Sequence, residues 1–353
     1  MNRALLILPF VILTLLMAIW GGWIRIGFPF PLTITAVQHG SLMVNGFLGS
    51  VIFLERAVTF RNKRILLLPL VNVLGIIPAL LGFNEIVQLI HIAGSLGFVI
   101  MCAYFIYRHK EQYYYVFFAG AFALLTGNLL LYNTQLFPAA VTWWMVFLLF
   151  TIVAERLELT RFLPLLRSRQ NLLMVVLAFT MISSFIPFHW NGNILLALAF
   201  AAVAAWLLKY DMAFKSVRAK GAHRYSGLLL IVGYCWLFIT AAFLVLQRKL
   251  SYGYDAALHS FFIGFVFSMI FSHAPIILPA VARLPVKIYR PQLYYWFALL
   301  QLSLVARIIA DVAGVPVLRK YSGFSNGVAM LLFFATIAVT AGTELKKRKY
   351  RLS

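Results

Sequence analysis

The sequence predicts an all-α polytopic membrane bundle of about twelve spans with both termini in the cytoplasm. Three observations carry this. Of 353 residues, 63% are hydrophobic and only 11% charged, with a mean hydropathy of +0.93, more apolar surface than a water-soluble fold can hide. Apolar runs of about twenty residues, the length that crosses a bilayer core of roughly 30 Å, recur along the whole chain. The third observation is where the positive charges fall.

The first run, Ala4 to Trp23, follows Met1-Asn2-Arg3 and lacks a small-residue cleavage site before Arg25, so it is read as a retained span rather than a signal peptide. Spans are then expected at 4–24, 35–56, 64–83, 86–108, 113–132, 139–156, 171–188, 193–209, 224–246, 256–281, 292–314 and 325–344. The connecting loops are too short for a second soluble domain, so residues 1–353 are expected to form a single integral membrane domain. No convincing sequence repeat is visible.

The net charge is +21, which in a soluble chain would suggest nucleic acid. Arg3, the groups around Arg56–Arg64, Arg108–Lys110, Arg156–Arg169, Lys209–Arg224 and Arg283–Arg290, and the tail from Lys346 hold 24 of the 30 Lys and Arg residues on alternate loops. The opposite loops hold only Arg25, Arg248, Lys249, Arg319 and Lys320. That asymmetry is the positive-inside signature, and it disposes of nucleic acid as a partner. The expected location is the cytoplasmic membrane of a bacterium or archaeon; oligomeric state is not encoded in any pattern found. Cys102 and Cys235 lie in apolar runs without a C-x-x-C, which leaves no zinc knuckle, disulfide framework or covalent haem attachment.

Ionisable groups inside spans are costly and therefore mark candidate sites. His39, His91 and His259 each fall about one turn into a span entered from the outer face, at roughly 5 to 8 Å depth. Imidazoles at one depth on several helices suit iron, copper or zinc. Gly40, Gly46, Gly94, Gly97 and Gly264 on the same spans offer room for a flat cofactor, and Met43, four residues after His39, adds a soft sulfur. The competing reading is that each histidine caps or hydrogen-bonds on its own.

At these residues the chain resembles the NnrS family, membrane proteins of nitric-oxide metabolism that bind haem and copper, and more distantly subunit I of haem-copper oxidases. His259-Ser260-Phe261-Phe262-Ile263-Gly264 followed by Met269-Ile270 is similar to the family's late H-x4-G-x4-M-I pattern, and His39 to Gly49 to its early histidine and glycine-rich span. The resemblance implies a b-type haem, and copper, bound near the outer face. In the oxidases, histidines on spans two and ten hold the low-spin haem; His39 and His259 occupy the corresponding places. The oxygen-reducing centre has no counterpart, since there is no H-x-H on span ten and no histidine on spans six or seven. The family's H-T-G-R ending is replaced by His273-Ala274-Pro275.

In the inner half of the membrane, His273 accompanies Glu55-Arg56 and Glu155-Arg156 at the ends of spans two and six. These groups would carry protons or bind a quinol, or act as ion-pair staples. Arg307 and Asp311, four apart on span eleven, would pair along the helix or let Arg307 anchor a haem propionate. His189 reads as an outer-loop residue. The expected function is a haem- or copper-binding membrane protein of nitric-oxide or respiratory metabolism; a secondary transporter and a metal-handling assembly factor for a respiratory oxidase remain the competitors.

Overall fold

Apolar sequence dictates helix here, because a segment in lipid must satisfy its backbone polar groups internally. The computed structural model describes residues 4–160, 166–186, 192–282 and 284–352, and among them no strand occurs. The long helices are α1 (Ala4–Arg25), α2 (Ile34–Ala57), α3 (Lys63–Leu80), α4 (Asn84–His109), α5 (Gln112–Thr134) and α6 (Phe137–Thr160). They continue as α7 (Arg167–Ser184), α8 (Gly192–Tyr210), α9 (Ala222–Leu246), α10 (Gly253–Val281), α11 (Leu293–Ala313) and α12 (Pro316–Leu352). Eleven of these, all but α7, are long and apolar enough to cross a membrane. The chain is therefore an all-helical integral membrane protein. His189, Arg161 and Arg283 lie outside the described residues.

Local chemistry sets the helix ends. The Asn62 side chain accepts the Arg64 N–H at 3.0 Å and caps α3. Gly314, at φ +67°, stops α11 in the left-handed conformation that glycine tolerates, and Pro316 opens α12 two residues later, where its missing N–H is no loss. Three spans are not continuous α-helices. α3 breaks at Gly75, and α2 and α10 widen into π-helical turns over Leu42–Gly49 and Ser260–Phe267.

Those two π segments share a pattern that composition hides. Gly46-Phe47-Leu48-Gly49-Ser50 and Gly264-Phe265-Val266-Phe267-Ser268 place glycine, phenylalanine and serine at equal spacing, and each serine marks the return to α-helix. Each serine hydroxyl also accepts an amide from the next span: Asn72 Nδ2 to Ser50 Oγ at 2.9 Å, Gln301 Nε2 to Ser268 Oγ at 3.2 Å. Every fourth span is enclosed, with α2, α6 and α10 buried over 67%, 83% and 67% of their apolar windows, the highest values among the eleven. A structural periodicity thus exists where sequence alone shows no repeat.

The chain packs as two compact units, Met1–Thr151 with Ala280–Leu284, and Ile152–Pro279 with Pro285–Ser353. In the first, α1 packs along α2, α4 along α5, and α3 against both α2 and α4. In the second, α8 packs on α7 and α9, α9 on α10, and α11 on α12. Phe271 of α10 stacks on Phe333 of α12 with ring centroids 3.6 Å apart, fixing that contact by aromatic burial.

Candidate functional site

In the second unit, Asp255 lies one turn before His259 near the start of α10, and it is the carboxylate the spacing argument overlooked. His259 Nδ1 lies 2.9 Å from the Asp255 backbone oxygen and 3.3 Å from Asp255 Oδ1. A carbonyl only accepts, so in the neutral ring Nδ1 carries the hydrogen and Nε2 the lone pair. Asp255 is itself held: Oδ2 accepts Arg307 Nη2 at 2.8 Å and Nε at 3.3 Å, and Oδ1 lies 3.2 Å from Arg319 Nη2. Arg319 Nε donates to Asp311 Oδ1 at 2.9 Å, and its guanidinium covers the Tyr252 ring at 4.5 Å. Two carboxylates and two guanidinia thus neutralise one another around the imidazole, the condition for placing charges where Arg307 and Asp311 are 5% and 0% exposed.

The pairing expected along α11 is therefore replaced. Arg307 reaches across to α10 and the Asp311 carboxylate accepts from α12, because two facing helices bring a better aligned partner than the same helix does. Arg307 as an anchor for a propionate would have to share its guanidinium with Asp255. The missed signal was the Asp255-x-x-x-His259 spacing, which fell just outside the expected span boundary.

In the first unit, His39 Nδ1 lies 2.6 Å from the Ala18 backbone oxygen of α1, again placing the proton on Nδ1. Gly22 makes that approach possible, since a Cβ there would come 2.9 Å from His39 Cε1. His91 instead meets Ser41 Oγ through Nδ1 at 3.1 Å, and its buried Nε2 has no hydrogen-bond partner among the described residues. Residues 39 and 41 point about 200° apart around a helix, so the two imidazoles approach α2 from opposite faces. Met43 is buried in the first π turn.

Around His91 runs a buried amide network. Asn128 Nδ2 donates to Asn45 Oδ1 at 2.9 Å and to the His91 backbone oxygen at 3.1 Å, and Trp144 Nε1 donates to Asn128 Oδ1 at 3.0 Å. Asn72 Nδ2 also reaches the Asn45 backbone oxygen at 2.7 Å. The glycines expected to leave room for a ring are filled by the protein itself: Asn72 covers Gly94, Leu68 covers Gly97, Trp236 covers Gly264, Thr14 touches Gly46, and Phe137 and Trp144 line Gly40. Among the described residues, no three His, Cys, Asp or Glu side chains group closely enough to hold a metal ion.

Glu55, Arg56, Glu155, Arg156 and His273, expected to form one cluster, separate into two local arrangements. In the first unit, Glu55 Oε1 lies 3.8 Å from Arg56 Nη2, and Arg56 covers the Phe117 ring at 4.1 Å. In the second, Arg156 Nη2 donates to His273 Nε2 at 2.8 Å while His273 Nδ1 faces the Met269 backbone oxygen at 2.7 Å. Arg156 Nη1 also stands 4.0 Å from Asp211 Oδ2, which accepts Tyr234 Oη at 3.0 Å and the Ala213 N–H at 2.9 Å. Glu155 lies beside this cluster in sequence and is only half-buried. Because Arg156 uses the His273 lone pair, His273 differs from His259, whose Nε2 is directed away from its Asp255 tether.

Neither a curated protein nor a solved structure matches the chain. The model of one family, described as a domain of unknown function, DUF8744, matches residues 3–342, and the chain belongs to that family.

Proposed function

We propose that this is a b-type haem-binding protein of a bacterial or archaeal cytoplasmic membrane, acting in respiratory or nitric-oxide metabolism, with His259 and His39 as axial-ligand candidates. The observation that carries the reading is the tether on His259. Metal-ligating histidines characteristically donate one ring N–H to a carbonyl or carboxylate, which fixes the tautomer and presents the other nitrogen; Asp255 supplies both acceptors. His39 carries its proton on the same ring nitrogen. A haem iron asks for only one or two axial imidazoles, a smaller demand than the three-ligand group a copper or zinc site needs. Bound iron would supply one-electron transfer, or binding of a diatomic gas such as nitric oxide if one axial position stayed open.

The chain's own part is to hold the ligand. Asp255, fixed by Arg307 and Arg319, keeps the His259 proton on Nδ1, and together with Asp311 balances those two guanidinia at the point where a cofactor would meet the protein. His91, Met43 and the inner groups Glu55, Arg56, Glu155, Arg156 and His273 are not needed as ligands in this reading; His91 belongs to the amide network, and the inner groups act as staples rather than as a proton or quinol site.

A twelve-span topology with cytoplasmic termini accompanies it. α7 is the span in question, and Leu172, Val175, Phe179 and Ile182 form an exposed apolar stripe along it, 51%, 66%, 39% and 62% exposed. That is the surface a lipid-facing helix presents.

The test is an absorption spectrum of the purified protein, oxidised and dithionite-reduced, with iron and copper analysis on the same sample. A Soret band with iron, lost in both His39→Ala and His259→Ala but kept in His109→Ala and His223→Ala, is expected. Copper without iron, or full haem in both core variants, overturns the assignment.

A second reading, transport, draws on the interrupted spans. π turns in α2 and α10 and the break at Gly75 in α3 lie beside buried polar groups, as the discontinuous helices of transporters do. Metal-free protein that accumulates a solute in reconstituted vesicles would favour it over the haem reading.

A further inference from the structure

The surface where α9 and α11 begin and α12 ends combines an aromatic belt, a rigid basic arm and an orphaned donor. α12 has 37 residues and so runs about 55 Å, well beyond a hydrocarbon core of roughly 30 Å. Trp296 Nε1 donates to Thr336 Oγ1 at 2.8 Å, which levels the first turn of α11 with that point of α12. Trp and Tyr gather at membrane interfaces, and Tyr225, Tyr289 and Tyr294 pack together here, with ring centroids 5.6 Å (Tyr225 to Tyr289) and 4.9 Å (Tyr225 to Tyr294) apart. Beyond Thr336, α12 continues about 18 Å to Arg348.

That extension is docked rather than loose. Arg290 Nη2 meets Glu344 Oε1 at 2.7 Å, and Arg348 Nη1 donates to the Pro285 backbone oxygen at 2.9 Å. The two contacts hold the arm against the segment before α11 and bring Lys287, Lys346 and Lys347 to one exposed rim. Glu344 opposes them, shared by Arg290 and Lys347. Behind the rim, Tyr225 is 1% exposed and its hydroxyl has no hydrogen-bond partner among the described residues. A buried hydroxyl left unbonded is costly, so an acceptor is expected there.

We propose that this end of the second unit binds the phosphate headgroup of an anionic phospholipid. Lys346 and Lys347 stand about 15 Å, some three turns, beyond Thr336 on the same helix, and basic residues flanking a span attract anionic lipid headgroups. Topology alone explains why positive residues lie on this side, but it does not ask that the arm be pinned by Arg290 and Arg348 while three lysines face outward. Nor does it ask for an unbonded phenol behind them.

The experiment is native mass spectrometry of the detergent-purified chain titrated with phosphatidylglycerol or phosphatidylcholine. The wild type should retain phosphatidylglycerol about tenfold better. The triple variant Lys287→Gln, Lys346→Gln, Lys347→Gln should lose that preference, whereas the same three positions as Arg should keep it, which separates charge from misfolding. Arg61→Gln, Lys63→Gln, Arg64→Gln, a basic loop of the first unit, should leave it unchanged. Equal retention of both lipids by the wild type overturns the proposal, as does an unchanged preference in the lysine-to-glutamine triple. Equal loss in both triples would mean undirected charge attraction, and full competition by inorganic phosphate at the lipid's concentration would mean a free-anion site; either result also overturns it.

Discussion

Arg156 Nη2 lies 2.8 Å from His273 Nε2, and the direction of that hydrogen bond follows from the other side of the ring. His273 Nδ1 faces the Met269 carbonyl, so it is the donor there and Nε2 must accept. Such a ring has no lone pair to spare for a metal, and its Nδ1 side meets the Met269 carbonyl at 2.7 Å and the Ser272 hydroxyl at 3.1 Å. His273→Ala is therefore expected to leave any cofactor spectrum intact while lowering thermal stability by about 1.5–3 kcal/mol, the worth of a hydrogen bond to a charged group. Melting in detergent reads the loss. A vanished Soret band at normal yield would instead make His273 a ligand.

The network of Asp255, Arg307, Arg319 and Asp311 predicts strong coupling between Arg319 and Asp311. Asp311 is 0% exposed and accepts Arg319 Nε at 2.9 Å, so Arg319→Gln strands a buried carboxylate at a cost of about 3–5 kcal/mol. Adding Asp311→Asn removes the stranded charge. The double variant should recover part of the loss, with a coupling of about 1–3 kcal/mol in a thermal double-mutant cycle. Strictly additive effects would show that the pair is not a unit.

Much of the architecture is legible in the sequence because lipid imposes a simple rule, that spans be long and apolar; the first eleven expected spans coincide with helices within about four residues among the described residues, α7 included, whereas the last, expected at 325–344, lies inside a helix that runs from Pro316 to Leu352. The site is less legible. Arg307 and Asp311 are four apart and invite pairing, yet the partners chosen, Asp255 and Arg319, lie on other helices, and one-dimensional spacing cannot rank a same-helix partner against a facing one. Glycine spacing misleads similarly. Gly94 and Gly97 look like gaps, but on a packed face a missing side chain is an invitation to the neighbour, and Asn72 and Leu68 take it. The π turns escape notice because nothing in Leu42–Gly49 or Ser260–Phe267 departs from ordinary apolar helix.

Topology turns on α7. With twelve crossings the two termini share a side; with the eleven most apolar helices alone they would not. Reporters fused after residues 63, 110, 168, 220 and 287 are expected in the cytoplasm, and those after 84, 135, 191, 250 and 320 outside. A reporter at 191 found in the cytoplasm would remove α7 as a span and invert every later helix.

The final prediction concerns the closed circuit that supports the π turn of α10. A Cβ at Gly264 would lie 2.5 Å from Trp236 Cγ and 2.6 Å from Cδ2, closer than packed atoms tolerate. Trp236 cannot simply swing away, since its Nε1 donates to Gln301 Oε1 at 2.5 Å. Gln301 Nε2 in turn donates to Ser268 Oγ, whose hydroxyl returns to the Gly264 carbonyl at 2.5 Å. Gly264→Ala must therefore displace an indole that is hydrogen-bonded back to the same turn, adding an overpacking cost of about 1–3 kcal/mol to a weakened bond worth about 1 kcal/mol. A Cβ at Gly46, at the matching place in α2, would come no nearer than 3.3 Å, to the Thr14 methyl. There a small side-chain adjustment suffices, and the better helix propensity of alanine, up to about 1 kcal/mol, offsets it. Gly46→Ala should accordingly melt within about 1 kcal/mol of the wild type, and Gly264→Ala clearly below it. Trp236→Leu placed with Gly264→Ala should recover part of the loss, because it removes the clashing ring. Equal melting of the two glycine variants would mean that the Trp236 circuit does not set the geometry of α10, and a double variant no better than Gly264→Ala would place the strain in the backbone instead.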